Sequence, residues 1–262
     1  MAMVAACYSP QPSPGAPCGP GDTCPEDLTC SNGLCLAEPG TADSSAADSA
    51  PVDGPLPDVA PVRWALIATA GETNPVTDID PTSAGNTILV GVETEAATGA
   101  TAVTDDAGNA YTLIANSRAV NPGRDFGVEI WLAQDSAAGA TKVTATGPVI
   151  HAVVVWEVAG IASEAPIVEV ETRDAQAASN TPPGAPVTTT ETGQFVLSIA
   201  IVANFVSGLT ADSDFANDHT TFGNGWAHLR DNDAPPGMYM AQWNQQTTGT
   251  SCASSVVLRT GP

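Results

Sequence analysis

The sequence predicts an all-β chain. Its main body reads as an antiparallel β-sandwich, jelly-roll or immunoglobulin-like, preceded by a small disulfide-rich module and a disordered linker. Three observations predict it. Apolar runs and apolar–polar alternations have the length of strands. Gly and Pro fall between them at strand-length intervals. No segment keeps a helical period over ten residues, so strands joined to strands, rather than βαβ units, are expected. A chain of 262 residues accommodates one large all-β domain with accessories.

Composition narrows the partners. There are 29 acidic against 7 basic residues, a formal charge of −22. With so few cations there is no basic patch to neutralise a phosphate backbone, so nucleic acid is not an expected partner. Attraction to an anionic bilayer by charge is excluded on the same ground. No apolar run reaches the length needed to span a membrane as a helix.

Residues 1–7 end in Val4-Ala5-Ala6-Cys7. This resembles a bacterial lipobox, in which small residues precede the cysteine that becomes lipidated. The resemblance implies an acyl anchor on Cys7, holding the protein to a membrane it does not cross. Tyr8 after the cysteine, by resemblance to Gram-negative lipoproteins, implies sorting to the outer membrane and cell surface. Only six residues precede Cys7, too few for a signal peptide. A start further upstream is therefore one reading, and a plain cysteine near a disordered end is the other.

Residues 8–36 carry Cys18, Cys24, Cys30 and Cys35 with spacing C-x5-C-x5-C-x4-C among Gly, Pro and Asn. So short a segment cannot bury a core and needs staples. Disulfides are expected. Zinc is the rival, weakened by the absence of paired C-x2-C knuckles and of a nearby His. The phrase PCGPGDTCPEDLTCSNGLC after a lipobox-like cysteine resembles the N-terminal Cys-rich module of myxobacterial-type surface lipoproteins. That resemblance implies an oxidising, extracytoplasmic compartment. Resemblance to small knot-like modules implies the pairing Cys18–Cys30 and Cys24–Cys35.

Residues 37–60 are rich in Ala, Asp, Ser and Pro, with Asp43, Asp48, Asp53 and Asp58 at five-residue intervals. Like charges and prolines extend such a segment, and it reads as a spacer.

Residues 61–262 form the sandwich domain. Expected strands are 63–69, 87–94, 128–133, 142–146, 150–158, 168–172, 194–204, 238–245 and 254–259. The runs at 87–94 and 194–204 are apolar on both faces and read as central. Between Val103 and Leu113 the sequence Val-Thr-Asp-Asp-Ala-Gly-Asn-Ala-Tyr-Thr-Leu reads as a hairpin turned by Gly108 and Asn109. A loose echo links Gly85-Asn86-Thr87-Ile88-Leu89-Val90 with Gly193-Gln194-Phe195-Val196-Leu197-Ser198. It reads as two halves of one sandwich reusing a local solution. The order of the Gly-Asn strand start, the D-x-x-G-N-x-Y hairpin, Val-Glu-Ile-Trp-Leu-Ala and Val-Val-Trp-Glu-Val-Ala-Gly resembles a β-sandwich module of secreted bacterial proteins. Such modules occur on cell-surface and carbohydrate-active proteins, and the resemblance implies no particular activity.

Several residues invite chemistry. Asp212, Asp214 and Asp218, beside His219, could hold Ca²⁺ in a loop; a solvated turn is the alternative. Asp105, Asp106 and Asn109 could also ligate a cation, but the turn role accounts for them. His151 reads as a partly buried strand residue. A catalytic serine lacks its G-x-S-x-G elbow. Glu129 and Glu157, on expected neighbouring strands, could serve a glycan hydrolase, or simply face solvent. Trp131 and Trp156, among aliphatic neighbours, read as core. Trp226 and Trp243 sit in more polar surroundings and are expected to form an exposed sugar-binding patch. Cys252 is the odd thiol, either buried and inert or linked to Cys7.

The function that follows is non-catalytic binding or adhesion at the cell surface, toward polysaccharide or another surface protein. A carboxylate-dependent hydrolase and a purely structural envelope component are the alternatives. No cofactor other than Ca²⁺ is suggested.

Overall fold

The structure, a computed structural model, describes residues 23–24, 28–31, 34–37, 64–95, 98–121 and 123–261. The chain divides into two compact units, Met1–Asp58 and Val59–Pro262.

In the first unit, β1 (Leu28–Ser31) pairs antiparallel with β2 (Leu34–Ala37) and sets Cys30 opposite Cys35. Asn32-Gly33 lies between them in the sequence, a dipeptide that favours two-residue hairpin loops. Cys24 is disulfide-bonded. Cys7 and Cys18 lie outside the described residues.

The second unit is all-β and antiparallel, as expected, but it is built twice. The first half contains β3 (Ala65–Glu72), β4 (Val76–Asp78), β5 (Thr87–Thr94), β6 (Ala102–Asp105), β7 (Thr112–Leu113), β8 (Ala119–Asn121), β9 (Phe126–Ala133), β10 (Lys142–Thr146) and β11 (Ile150–Ala159). Its large sheet runs β3-β11-β5-β9-β7, with β8 also on β9, and its small sheet runs β4-β10-β6. The second half contains β12 (Ile167–Ser179), β13 (Val187–Thr189), β14 (Phe195–Val202), β15 (Val206–Leu209), β16 (Phe215–His219), β17 (Gly225–Leu229), β18 (Gly237–Tyr239), β19 (Trp243–Gln245) and β20 (Gly249–Leu258). Its large sheet runs β12-β20-β14-β17-β16, while β13 pairs β18 and β15 pairs β19.

The two orders superimpose position by position. β5 and β14 are the central strands, and β3 and β12 are the matching edges. The single strand β10 of the first half corresponds to β18 and β19 of the second. The echo at residues 85–90 and 193–198 sits at the start of these two central strands, where Gly85 and Gly193 have φ of 81° and 79°. Left-handed backbone is open to glycine at little cost.

Strand alternation then divides the core into three layers. Leu89, Ile130, Val154 and Trp156 of the first half face Phe195, Leu197, Ile199 and Val256 of the second. The opposite face of the first large sheet, with Ile88, Val90, Val92 and Val155, is covered by Val103, Val143 and Ala145 of its small sheet. In the second half, Val196, Ala200 and Val257 pack under Val187, Val206 and Trp243. Side chains one residue apart in a strand serve different cores, which is why β5 and β14 are buried at every position.

The segment expected to be a hairpin at 103–113 is a corner instead. β6 pairs β10 in the small sheet, whereas β7 pairs β9 in the large one. Asp105 holds the corner. Its Oδ1 accepts from the amides of Ala107 and Asn109, both at 3.0 Å, and its Oδ2 from Asn109 Nδ2 at 2.6 Å and the Tyr111 hydroxyl at 2.8 Å. Burial and then the bond to Asp105 push the Tyr111 phenol well above its ordinary value.

Candidate functional site

Trp226 and Trp243 are not an exposed patch: both are 0% exposed. Trp226 stands between the halves, its ring centroid 6.2 Å from that of Trp156. It fits because Gly91 opposite has no side chain; a Cβ there would lie 2.6 Å from Trp226 Cζ3. Trp243 fills the outer core of the second half, where a Cβ on Gly225 would lie 2.2 Å from its indole nitrogen. Gly225, which made Trp226 look loop-like, is the space that the Trp243 ring occupies. Trp131 and Trp156 are core residues, as expected.

Asp212, Asp214 and Asp218 do not converge. Asp212 and Asp214 are exposed in the turn before β16. Asp218 turns inward, accepting from Trp156 Nε1 at 2.8 Å and pairing with His228 Nδ1 at 2.7 Å. It joins the two halves. No group of three His, Cys, Asp or Glu among the described residues is arranged to hold a metal. His219 meets the Thr69 hydroxyl, and burial lowers its pKa. Asp106 accepts from Thr141 and the Lys142 amide.

Glu129 and Glu157 are neither solvent-facing nor paired with each other. They are 1% and 3% exposed. Glu129 is held by Arg118 Nη1 at 2.6 Å, the Ala100 amide at 2.8 Å and Trp131 Nε1 at 2.9 Å. Glu157 accepts from the Ser83 amide at 2.8 Å and Asn86 Nδ2 at 2.6 Å. They stand opposite Val92 and Ile88 of β5. That register separates them by about 13 Å along the strands, and each carboxylate is held by structural donors, Glu129 through both oxygens and Glu157 through Oε1.

His151 is partly buried on β11, 3.0 Å from Glu95. Cys252 is a free, fully buried thiol, so the link to Cys7 is not made. Burial drives its pKa far up, which keeps it protonated and unreactive.

The site that geometry does build opens at one end of the seam between the halves. It is a cleft of about 250 Å³ lined by Glu93, Glu95, Arg124, Phe126, Asn204 and Phe205. Four pieces of chain meet there: the end of β5, the turn before β9, the start of β9, and the bend between β14 and β15. Phe205 is 62% exposed at the mouth. Its ring lies against Gly223, whose φ is 76°, and a Cβ there would meet the ring at 2.1 Å.

At the floor, Glu93 is 3% exposed and accepts from Asn224 Nδ2 at 2.8 Å. Burial pushes its pKa up to about 8, against the Asn224 bond, with the Glu95 charge adding to the rise. At neutral pH this carboxyl is a proton donor. Glu95, in the bend just past the end of β5, is exposed. The cleft thus presents an aromatic ring, a guanidinium, a buried protonated carboxyl, a second, exposed carboxyl, and the amide of Asn204.

No single sequence feature marked this cleft. Glu93 reads as the polar end of a strand and Phe205 as a residue between strands; only the packing of the halves brings them together. No family model, curated protein or solved structure matches the chain.

Proposed function

We propose that the protein is a non-catalytic binding module of an extracytoplasmic surface, anchored by lipid on Cys7, and that the seam cleft takes a polysaccharide. The observation that carries this is Phe205, exposed beside Glu93, Glu95 and Arg124 in one concave site. Sugars offer an apolar C–H face to a ring, and hydroxyl pairs to carboxylate, amide and guanidinium groups. The disulfide at Cys24 supports an oxidising compartment. Phe205→Ala in the full chain is expected to weaken binding to glycans scored on an array by about tenfold or more, with the melting temperature unchanged. Equal binding by the variant, or no glycan bound at all, would sink the reading and leave a structural envelope role.

A second reading rests on the same pair of acids. A buried, protonated Glu93 beside an exposed Glu95 offers two carboxyls in unlike surroundings, the arrangement from which a general acid and a base are drawn. It moves the hydrolase alternative away from Glu129 and Glu157. Release of reducing ends from a bound glycan, abolished by Glu93→Gln, would favour it over binding alone.

A further inference from the structure

Two edges occupy matching places in the two halves, and they are treated differently. β12 carries Glu169, Glu171, Arg173 and Asp174 along its length, and Asp174 also accepts from the Val120 amide at 2.8 Å. Charges of this kind keep an edge from accepting another strand. β3, its counterpart, carries none between Ala65 and Gly71. Its backbone pairs only with β11; among the described residues no strand is hydrogen-bonded along its other edge. Glu157 opposes Ala68 while Val158 opposes Leu66, so Ile67 is bulged out and is 49% exposed. Beyond the bulge, Ala68 to Glu72 pairs regularly.

A groove follows this open edge. It measures about 290 Å³; Ala68, Ala70, Val155 and Glu157 line it from the sheet, and Asp78, Ile79 and Asp80 line it from the end of β4 and the segment after it. Cross-strand pairing of Ala70 with Val155, and of Ala68 with Glu157, puts the two alanines on the groove side. Small side chains there leave space for those of an added strand. The opposite face of β3 is closed, since a Cβ on Gly71 would lie 2.8 Å from Thr221 Oγ1. Asp78 and Asp80 are exposed, and Asp78 has only a loose partner in Lys142, 3.7 Å away.

We infer that the open edge of β3 binds an extended, cationic segment of a partner protein by strand addition. Its main chain would extend the large sheet along Ala68–Glu72, its alternate side chains would enter the groove, and its basic residues would face Asp78 and Asp80. The acidic wall argues against the occupants nearest at hand. A second copy would bring the same aspartates and a charge of −22, and the acidic stretch at residues 37–60 would be repelled likewise. This site is separate from the seam cleft and does not depend on the glycan reading.

The test uses the full chain and a fluorescein-labelled octapeptide of alternating lysine and valine. Saturable binding by anisotropy is expected, together with at least tenfold slower hydrogen exchange at the outward amides of Ala68–Glu72. The same peptide N-methylated on every residue keeps its charge but cannot donate, and is expected to bind at least tenfold more weakly. Asp80→Lys alone, and Asp78→Lys with Asp80→Lys, are expected to weaken the parent peptide progressively, while Phe205→Ala leaves it unaffected. Equal affinity for the N-methylated peptide would reduce the effect to diffuse charge attraction and overturn the inference. So would unchanged exchange along β3, or sedimentation showing that copies of the chain already cover this edge.

Discussion

Asn224 of the second half donates to Glu93 of the first at 2.8 Å, across the seam, while its Oδ1 accepts from the Val202 amide at 2.9 Å. One side chain therefore ties a carboxyl of β5 to the end of β14. The bond is retained only while both halves are seated.

Stability should fall as pH rises through the range that Glu93 controls. Its carboxyl titrates at about 8 when folded and near 4.5 when unfolded. The folded state then holds the proton more tightly, so the favourable contribution is complete below the unfolded value and is lost between pH 4.5 and 8. Urea midpoints of the parent are expected to drop across that window. Glu93→Gln, which keeps an acceptor for Asn224, is expected to flatten the profile and to exceed the parent in stability at pH 8.

Gly91 and Trp226 should behave as one unit. Gly91→Ala forces a methyl against the indole, and overpacking of this kind costs roughly 1–3 kcal/mol. Pairing it with Trp226→Phe, which removes the obstructing ring atom, is expected to cost less than the sum of the two single changes. Additive losses in a denaturation cycle would show that the seam relaxes elsewhere.

Asp105→Ala removes the acceptor of four hydrogen bonds at the first-half corner. A loss of about 2 kcal/mol or more is expected by chemical denaturation, because the amides and the phenol are left unpaired. Asp105→Asn keeps one oxygen for the two amides and should lose about half as much.

Tryptophan emission should report a fully enclosed set. Trp64, Trp131, Trp156, Trp226 and Trp243 are each at most 9% exposed. Native emission is expected to be blue-shifted and nearly insensitive to iodide, and a glycan stacked on Phe205 should leave it unchanged. A strongly quenched fraction would return one of the indoles to the surface.

Much of the domain was legible in its residues. Thr87–Thr94 and Lys142–Thr146 form strands with the boundaries expected, because apolar content and flanking turns agree there. The run at 194–204 is central for the same reason. Other features were hidden by physics that sequence periodicity does not carry. Asp105-Asp106-Ala107-Gly108-Asn109 is turn chemistry, and a turn does not say whether the next strand joins the same sheet. β4 and β13 span three residues each, too few for an alternation to register, and the single strand expected at 238–245 is two short strands, β18 and β19, that pair with different partners. Gly225 reads as part of a polar turn, yet it is a space filled by the Trp243 ring, and Gly91, inside the expected strand 87–94, gives no sign that it admits the Trp226 ring. Duplication showed in the sequence only as the faint match at 85–90 and 193–198, because what the halves share is strand order rather than side chains.

Among the described residues of the second unit, every pairing between strands lies within one half; none joins residues 65–159 to residues 167–258. Each half can therefore complete its ladders without waiting for the other, and loop closures stay shorter than the whole domain would require. During synthesis the first half emerges first, with Leu89, Ile130, Val154 and Trp156 uncovered until the second arrives. The chain passes through an interval in which a finished sandwich displays half of a hydrophobic core. That interval, rather than the equilibrium native state, is where this protein is most exposed to aggregation, and the time taken to translate and dock residues 160–262 sets its length.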